Sequence, residues 1–393
     1  MKGFEARLEE INRLAEEIER RRLDLMEAGA RDAGFPVKVT STEVDLAVQY
    51  LKTLQEEMEC VCKGHPFGTI AAIFPYDASV IVLARTGGGC MLTGNRFRFS
   101  FSSWNPESAR LVAEISRPFD CFEPVVGQDN RIFGQNCVDD ESVRLLFISG
   151  SSAVGQAYRR HHQAFDKLFF AGPGGMPAAL VFPDADPEAA SRFIARRAFM
   201  NGGQYCTTLK KALIHSSIYD SVRSKILKHV EKLKVGSPLD SDTDIGPILV
   251  ERTRLIVENA LAQCKDSRLL TGGIDGEWIY PLVLEMQDIP DLELFGPFLA
   301  LKSFDNPEQA VQEVTETRYG FYLAYFGTPP EGASTLFDSN FGMVDANPDF
   351  FFRPLRLPFG GKKESGWILE RTRDRWVNRD GAFVYSKELV RYE

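Results

Sequence analysis

Phe147–Gly155 (FISGSSAVG) reads as the end of a strand, a Gly-Ser turn and the start of a helix. Such a turn aims backbone N–H groups and the positive end of a helix at a phosphate, although glycine also serves close packing there. On either side, short β-rich runs alternate with helical ones. Upstream lie Thr69–Phe74, a helix, Phe97–Phe101, a helix from about Pro106, and Val125-Val126. Arg144–Ile148 leads into the turn, and a helix is expected from about Ala153. Downstream come Ala178–Val181, a helix from Pro187, Lys211–Ile214, a helix over Ile218–Leu233, Ala300–Phe304, a helix near Pro307–Glu316, and Tyr322–Phe326. Strands alternating with helices predict parallel sheets covered on their faces. The Gly/Pro cluster Ala171–Pro177 (AGPGGMP) reads as the loop joining two α/β lobes.

The chain's 393 residues correspond to two or three domains at roughly 150 residues each. Hydrophobic residues at 44% and charged residues at 26% exclude a disordered or fibrous chain. A net charge of −9 argues against nucleic acid or an anionic membrane as the main partner. No apolar run approaches the roughly 20 residues of a membrane helix. The N-terminus (MKGFEARLEEINRL) lacks an apolar signal core, and the seven scattered cysteines are no disulfide framework, so a cytoplasmic protein is expected. Residues 4–29 and Ser41–Met58 read as helices, with Gly34 and Pro36 between them. Cys60-Val61-Cys62 with His65 is read as alternating side chains on a short strand, with no metal bound.

Phe199–Cys206 (FMNGGQYC) places a cysteine after an Asn-Gly-Gly-Gln turn. Cys206 there is either a small buried thiol or a nucleophile whose oxyanion neighbouring N–H groups would hold. Further loops with no evident packing need are Glu293–Pro297 (ELFGP) and Pro358–Gly366 (PFGGKKESG). Together with Pro75-Tyr76-Asp77, Gly94-Asn95, Lys234–Ile248 and Thr271-Gly272-Gly273, these segments resemble the aldehyde dehydrogenase superfamily over about Pro66–Gly366, in the same order.

That resemblance implies two Rossmann-like α/β lobes with a nicotinamide cofactor between them. It implies a cofactor-binding domain over 1–174, a catalytic domain over 175–367, and a segment 368–393 returning to the cofactor lobe or an oligomer interface. Cys206 would be the nucleophile that forms a hemithioacetal or thioester. Phe74, Pro75, Tyr76, Ser100, Ser103, Gly150, Ser151, Gly155, Gly174, Glu293 and Phe295 would line the cofactor. Glu293 would hold a ribose, and Phe295 would lie near the nicotinamide. Tyr205, Thr207, Phe350, Phe351 and Phe352 would line the substrate channel. The family's oligomerisation hairpin is reduced to Glu59–His65, so a monomer or homodimer is expected.

Three departures bear on the reaction. The family's water-activating glutamate is matched by Gly172, 34 residues before Cys206. General-base help is typically worth a factor of about 10² to 10⁴, so thioacyl hydrolysis should be slow. The Ala-Gly-Pro-Gly segment instead resembles the CoA-acylating aldehyde dehydrogenases, implying NAD(P)H-dependent reduction of an acyl thioester to an aldehyde, or the reverse. The thiol would be CoA or a carrier-protein pantetheine. The alternatives are a hydrolytic enzyme with a relocated base, and an impaired binding or scaffold protein. Second, Asp77 replaces an asparagine that helps hold the oxyanion; it is either protonated, turned away, or in another catalytic role, one hypothesis being a proton donor toward the product oxygen. Third, Ser100-Phe101-Ser102-Ser103 lacks the family's ribose-binding lysine and nearby acid. With Arg96 and Arg98 close by, this favours NADPH over NADH.

Overall fold

Thr69–Phe74 (TIAAIF) is buried at every residue, as befits a parallel strand covered on both faces. In this computed structural model, which describes residues 3–151, 153, 154, 157, 168–264, 266–372, 375–379, 381–383 and 385–392, it is the centre of a seven-stranded sheet. Gly155 and most of the helix expected after Ala153 lie outside the described residues. The order across the sheet is Arg375–Arg379, Trp367–Thr372, Leu168–Pro173, Val143–Gly150, Thr69–Phe74, Arg96–Phe101 and Phe122–Val125. The last five are parallel, and the hairpin 367–379 closes one edge antiparallel. Phe74, Phe97 and Phe99 stack on one face against the N-terminal helices, while Ile73, Phe133, Leu146 and Trp367 fill the other.

The second seven-stranded sheet runs Met343–Ala346, Tyr322–Phe326, Ala178–Val181, Lys211–His215, Phe298–Phe304, Trp278–Glu285 and Arg268–Asp275. Only the last strand is antiparallel. Helices Pro187–Phe199 and Ser216–Glu231 pack on one face, Pro307–Thr315 and Ala333–Asn340 on the other. The two α/β lobes of the expected fold class are therefore present. Among the described residues, no helix is long and apolar enough to cross a membrane.

Several local expectations are corrected. Ala171–Pro173 is not loop but the end of the strand Leu168–Pro173, because its backbone continues the ladder with Val143–Gly150; the loop starts at Gly174. Residues 4–29 are two helices, Phe4–Arg20 and Arg22–Ala33, broken where Arg21 leaves helical geometry. The next helix starts at Val37, not Ser41, since Pro36 caps its N-terminus. Phe122–Val125 is the strand expected at Val125-Val126. Cys60 lies on the short helix Met58–Val61 and Cys62 caps it, so alternation along a strand does not explain that pair. Of Glu59–His65, only His65 enters a strand, and His65–Pro66 pairs with Val390–Arg391.

Candidate active site

The turn carrying Cys206 is built from backbone that ordinary residues avoid. Asn201, Gly202 and Gly203 have φ of 54°, 61° and 68°. A Cβ at Gly203 would lie 2.1 Å from the Gly296 carbonyl oxygen, so only glycine lets this turn meet the ELFGP loop. The Gly296 N–H donates to the Gly203 carbonyl at 2.9 Å. The buried Lys210 ammonium donates to both Gly203 O (2.9 Å) and Gly296 O (2.6 Å). Thr208 Oγ1 closes the turn on Gly203 O and Tyr205 O. The Asn201 amide is buried, with no hydrogen-bond partner at either end among the described residues.

Cys206 is half-buried at the edge of the second lobe's core. Burial pushes its thiol above the usual range; the Asp77 charge adds to this, and Arg197 and Arg85 oppose it. Asp77 sits on the turn between Thr69–Phe74 and the helix from Ser79. Ser79 Oγ donates to Pro75 O and accepts from Asn105 Nδ2, which fixes that turn. Asp77 is buried, and desolvation pushes its carboxyl up to about 7. The helix becomes a π-turn at Leu83–Gly87, and this brings Arg85 inside. Arg85 Nη2 donates to Leu357 O, and its guanidinium covers the Phe359 ring.

Three further residues join the site only through packing. Glu43 lies on the buried face of Val37–Lys52, in step with Val39 and Ala47, and is 5% exposed. It accepts a hydrogen bond from the Tyr205 hydroxyl, next in chain to Cys206. Desolvation and the Asp77 charge push its carboxyl up to about 8, against the opposing pull of the Tyr205 bond. Arg197 is buried, donates to Thr207 Oγ1 at 2.6 Å and to Phe351 O at 3.3 Å, and lies over the Tyr322 ring. Arg85 completes the set. The available signals were a lone acid in step with apolar positions and a lone arginine inside SVIVLARTGG.

Other expected site residues divide into groups. Tyr76 stacks on Phe35, meets Phe295 edge-on at 6.0 Å, and donates to Gln204 Oε1. The segment around Asp77, the ELFGP loop and the Cys206 turn are thus in mutual contact. A Cβ at Gly174 would lie 3.3 Å from Glu293 Oε1, so this glycine leaves room beside the acid. Phe74's ring is in the core, leaving its main chain for any outside contact. Ser100 is also buried and donates to Asn130 Oδ1, whereas Ser103 is exposed. Tyr205 meets Phe352, Phe351 meets Phe352, and Phe350 turns the other way onto Phe193. The positive charge expected near Ser100 is not available. Arg98 is paired with Asp140 (2.6 Å) and Glu123 (3.0 Å), and Arg96 stands at the opposite end of its strand.

At the carboxyl end of Val143–Gly150, Ser151 Oγ is buried with no hydrogen-bond partner among the described residues. An orphaned hydroxyl beside a side-chain-free Gly150, at the end of a central parallel strand, suits a cofactor pyrophosphate. The aldehyde dehydrogenase family model matches residues 2–378. The chain belongs to that family. Membership makes this aldehyde dehydrogenase homologue an oxidoreductase of aldehydes that uses NAD(P). It is 25% identical over 384 residues to a lactaldehyde dehydrogenase of Methanococcus maripaludis, covering 91% of this chain and 82% of that one. It is 28% identical over 344 residues to a sulfoacetaldehyde dehydrogenase of Neptuniibacter caesariensis, covering 83% and 72%. Among solved structures, a glyceraldehyde-3-phosphate dehydrogenase of Methanocaldococcus jannaschii complexed with NADP matches with a TM-score of 0.83 and 25% identity, over 99% of this chain and 88% of that one.

Proposed function

We propose that Cys206 forms a thioacyl-enzyme and that a thiol, not water, exchanges with its acyl group, so that the enzyme interconverts an acyl thioester and an aldehyde with NAD(P)H. The observation that carries this reading is Gly172. The position matched to the family's water-activating acid has no side chain at all, and the Ala-Gly-Pro-Gly segment around it resembles that of the CoA-acylating aldehyde dehydrogenases. The domain division at 174/175 and 367/368 belongs to the same proposal. So do a monomeric or dimeric state and CoA or a carrier-protein pantetheine as the thiol.

The roles follow from the site. Cys206 attacks the carbonyl carbon. Glu293, beside the cleared Gly174, would hold a cofactor ribose, with Phe295 and Tyr76 bordering the nicotinamide. Gly150 and Ser151 would receive the pyrophosphate. When bound, the nicotinamide supplies or accepts the hydride. Tyr205, Thr207, Phe351 and Phe352 form the wall along which the acyl chain would enter. The NADPH preference rests only on the missing lysine and acid around Ser100–Ser103, since Arg98 is already paired; cofactor affinities test it, and a strong NADH preference refutes it.

A second reading, hydrolysis to a carboxylic acid, is favoured by two buried acids, Asp77, whose charge acts on Cys206, and Glu43, bonded to the neighbouring Tyr205, and by the similarity to lactaldehyde and sulfoacetaldehyde dehydrogenases. Incubation with aldehydes and oxidised cofactor separates the two. Thioester formation that depends on added CoA supports the proposal. Steady acid release without any thiol overturns it in favour of hydrolysis. Intact-mass measurement after exposure to acyl thioesters should show an acyl adduct that Cys206→Ala abolishes.

A further inference from the structure

Along Asn201–Lys210 every residue is buried except Cys206 and Thr207, so the turn opens outward at the sulfur and at the hydroxyl next to it. The two neighbouring threonines are spent differently. Thr208 gives its proton to the carbonyls of Gly203 and Tyr205 and closes the turn. Thr207 Oγ1 instead accepts from Arg197 Nη2 at 2.6 Å. A hydroxyl that accepts from a guanidinium keeps its own proton to donate, and no described residue lies in reach to take it. The main-chain N–H groups of Cys206 and Thr207 are likewise not taken by a carbonyl among the described residues.

Arg197 is 3% exposed, and its Nε has no hydrogen-bond partner among the described residues. Its other anchors are the Phe351 carbonyl at 3.3 Å and the Tyr322 ring beneath it. No described carboxylate stands within ion-pair distance of it: Asp345, whose charge reaches it, is paired with Arg353 at 3.0 Å. A dry cation without an anion is costly to keep, and it stabilises negative charge that arises beside it. The attack of Cys206 on a carbonyl puts such a charge on the carbonyl oxygen. The amide that the family offers this oxygen is replaced by Asp77, which has no side-chain N–H.

We propose that the Thr207 hydroxyl is a catalytic donor to the oxygen of the carbonyl that Cys206 attacks, and that Arg197 is the positioning residue that holds and polarises it. This rests on Cys206 being the nucleophile, and it serves thiol exchange and hydrolysis alike. As the Cys206 thiolate forms the S–C bond, the carbonyl π pair moves onto oxygen, and the Thr207 O–H donates to that oxygen. Its proton stays on Oγ1, and nothing is oxidised or reduced in this step. The guanidinium behind Oγ1 makes the hydroxyl a stronger donor than a threonine in water.

The test is the single-turnover burst of reduced cofactor from an unsubstituted alkanal, the best of acetaldehyde to hexanal, at saturating aldehyde and oxidised cofactor. These aldehydes carry one oxygen, so a donor they lose is a donor to the reacting carbonyl. Thr207→Val should slow the burst by about 10² or more, the typical worth of an oxyanion donor, and Thr207→Ser should restore it to within about threefold of wild type. Alkylation of Cys206 by iodoacetamide makes no oxyanion, so its rate should stay within about twofold in both variants. A burst in Thr207→Val equal to that of wild type overturns the proposal. So does an equal slowing of burst and alkylation, since Thr207 would then shape the thiol and not serve the oxygen. Arg197→Met should slow the burst about tenfold in wild type and leave it unmoved in Thr207→Val; the same cost in both backgrounds removes Arg197 from the mechanism. If Thr207→Val or Arg197→Met fails to fold, Thr207→Ala, at a half-exposed position, decides by the same two rates. The burst precedes the step at which thiol and water part, so the fate of the acyl group does not enter. No burst from wild type with any of the alkanals overturns the reading of Cys206 as nucleophile, and this proposal with it.

Discussion

At the scale of single residues, the decisive feature is a missing side chain. Gly172 lies next to the end of strand Leu168–Pro173, paired with Ser149, at the position the resemblance matches to the family's water-activating glutamate. Gly172→Glu restores a carboxylate 34 residues before Cys206. Acid release from aldehydes without added thiol should then rise by about 10² or more, the typical worth of a general base. Product analysis by mass spectrometry checks this, and no rise in a folded variant would mean that Gly172 does not govern the fate of the acyl group. The turn of Cys206 and the loop of Glu293 are legible in the sequence because their glycines meet backbone demands that only glycine satisfies. Glu43, Arg85 and Arg197 are not. Each is a charged residue in an ordinary helical pattern, and only the packing of separate elements turns it inward.

At the scale of elements, legibility followed burial pattern. Thr69–Phe74, Ala178–Val181 and Tyr322–Phe326 are short runs, apolar or aromatic but for Thr69, and they are the strands expected. Leu168–Pro173 was hidden because Gly and Pro argue for a turn in one dimension, whereas the ladder with its neighbour tolerates them at a strand's end. The hairpin of Arg268–Asp275 and Trp278–Glu285 was hidden by its exposed, polar outer strand. What locks the elements around the site is Lys210, at the entry to strand Lys211–His215, holding the Cys206 turn and the ELFGP loop by their carbonyls. Burying an ammonium costs several kcal/mol, and its charge-assisted bonds return about 1.5–3 kcal/mol each, so the two nearly cancel. Lys210→Met should therefore leave stability within about 1 kcal/mol of wild type, yet weaken cofactor binding tenfold or so by loosening the loop of Glu293. Denaturant unfolding and cofactor titration decide it; a large loss of stability with unchanged binding would make Lys210 a structural residue only.

At the scale of the whole molecule, the same site sets a pH dependence of folding. Asp77 rises from 3.8 to about 7 and Glu43 from 4.5 to about 8 in the folded protein. Between those limits the unfolded chain has released protons that the folded chain still holds. Stability contributed by such groups is complete below pH 4 and is lost as pH rises through 7 and 8. A tenfold change in proton affinity is worth about 1.4 kcal/mol, so the upper bound on the pair's share is on the order of 9 kcal/mol. The buried lysines act in the opposite sense: Lys210 falls to about 7 and Lys211 to about 8, which raises stability as pH climbs past those values. A single melting curve mixes these opposing effects. The difference between wild type and the Asp77→Asn/Glu43→Gln variant does not, because the lysines are common to both. That difference should fall steadily from pH 5 to pH 8 in favour of the variant, measured by urea unfolding at each pH. A flat difference would mean that both carboxylates are already ionised at pH 5 in the folded enzyme, and the cost of burying them would then have to be met by contacts other than shared protons.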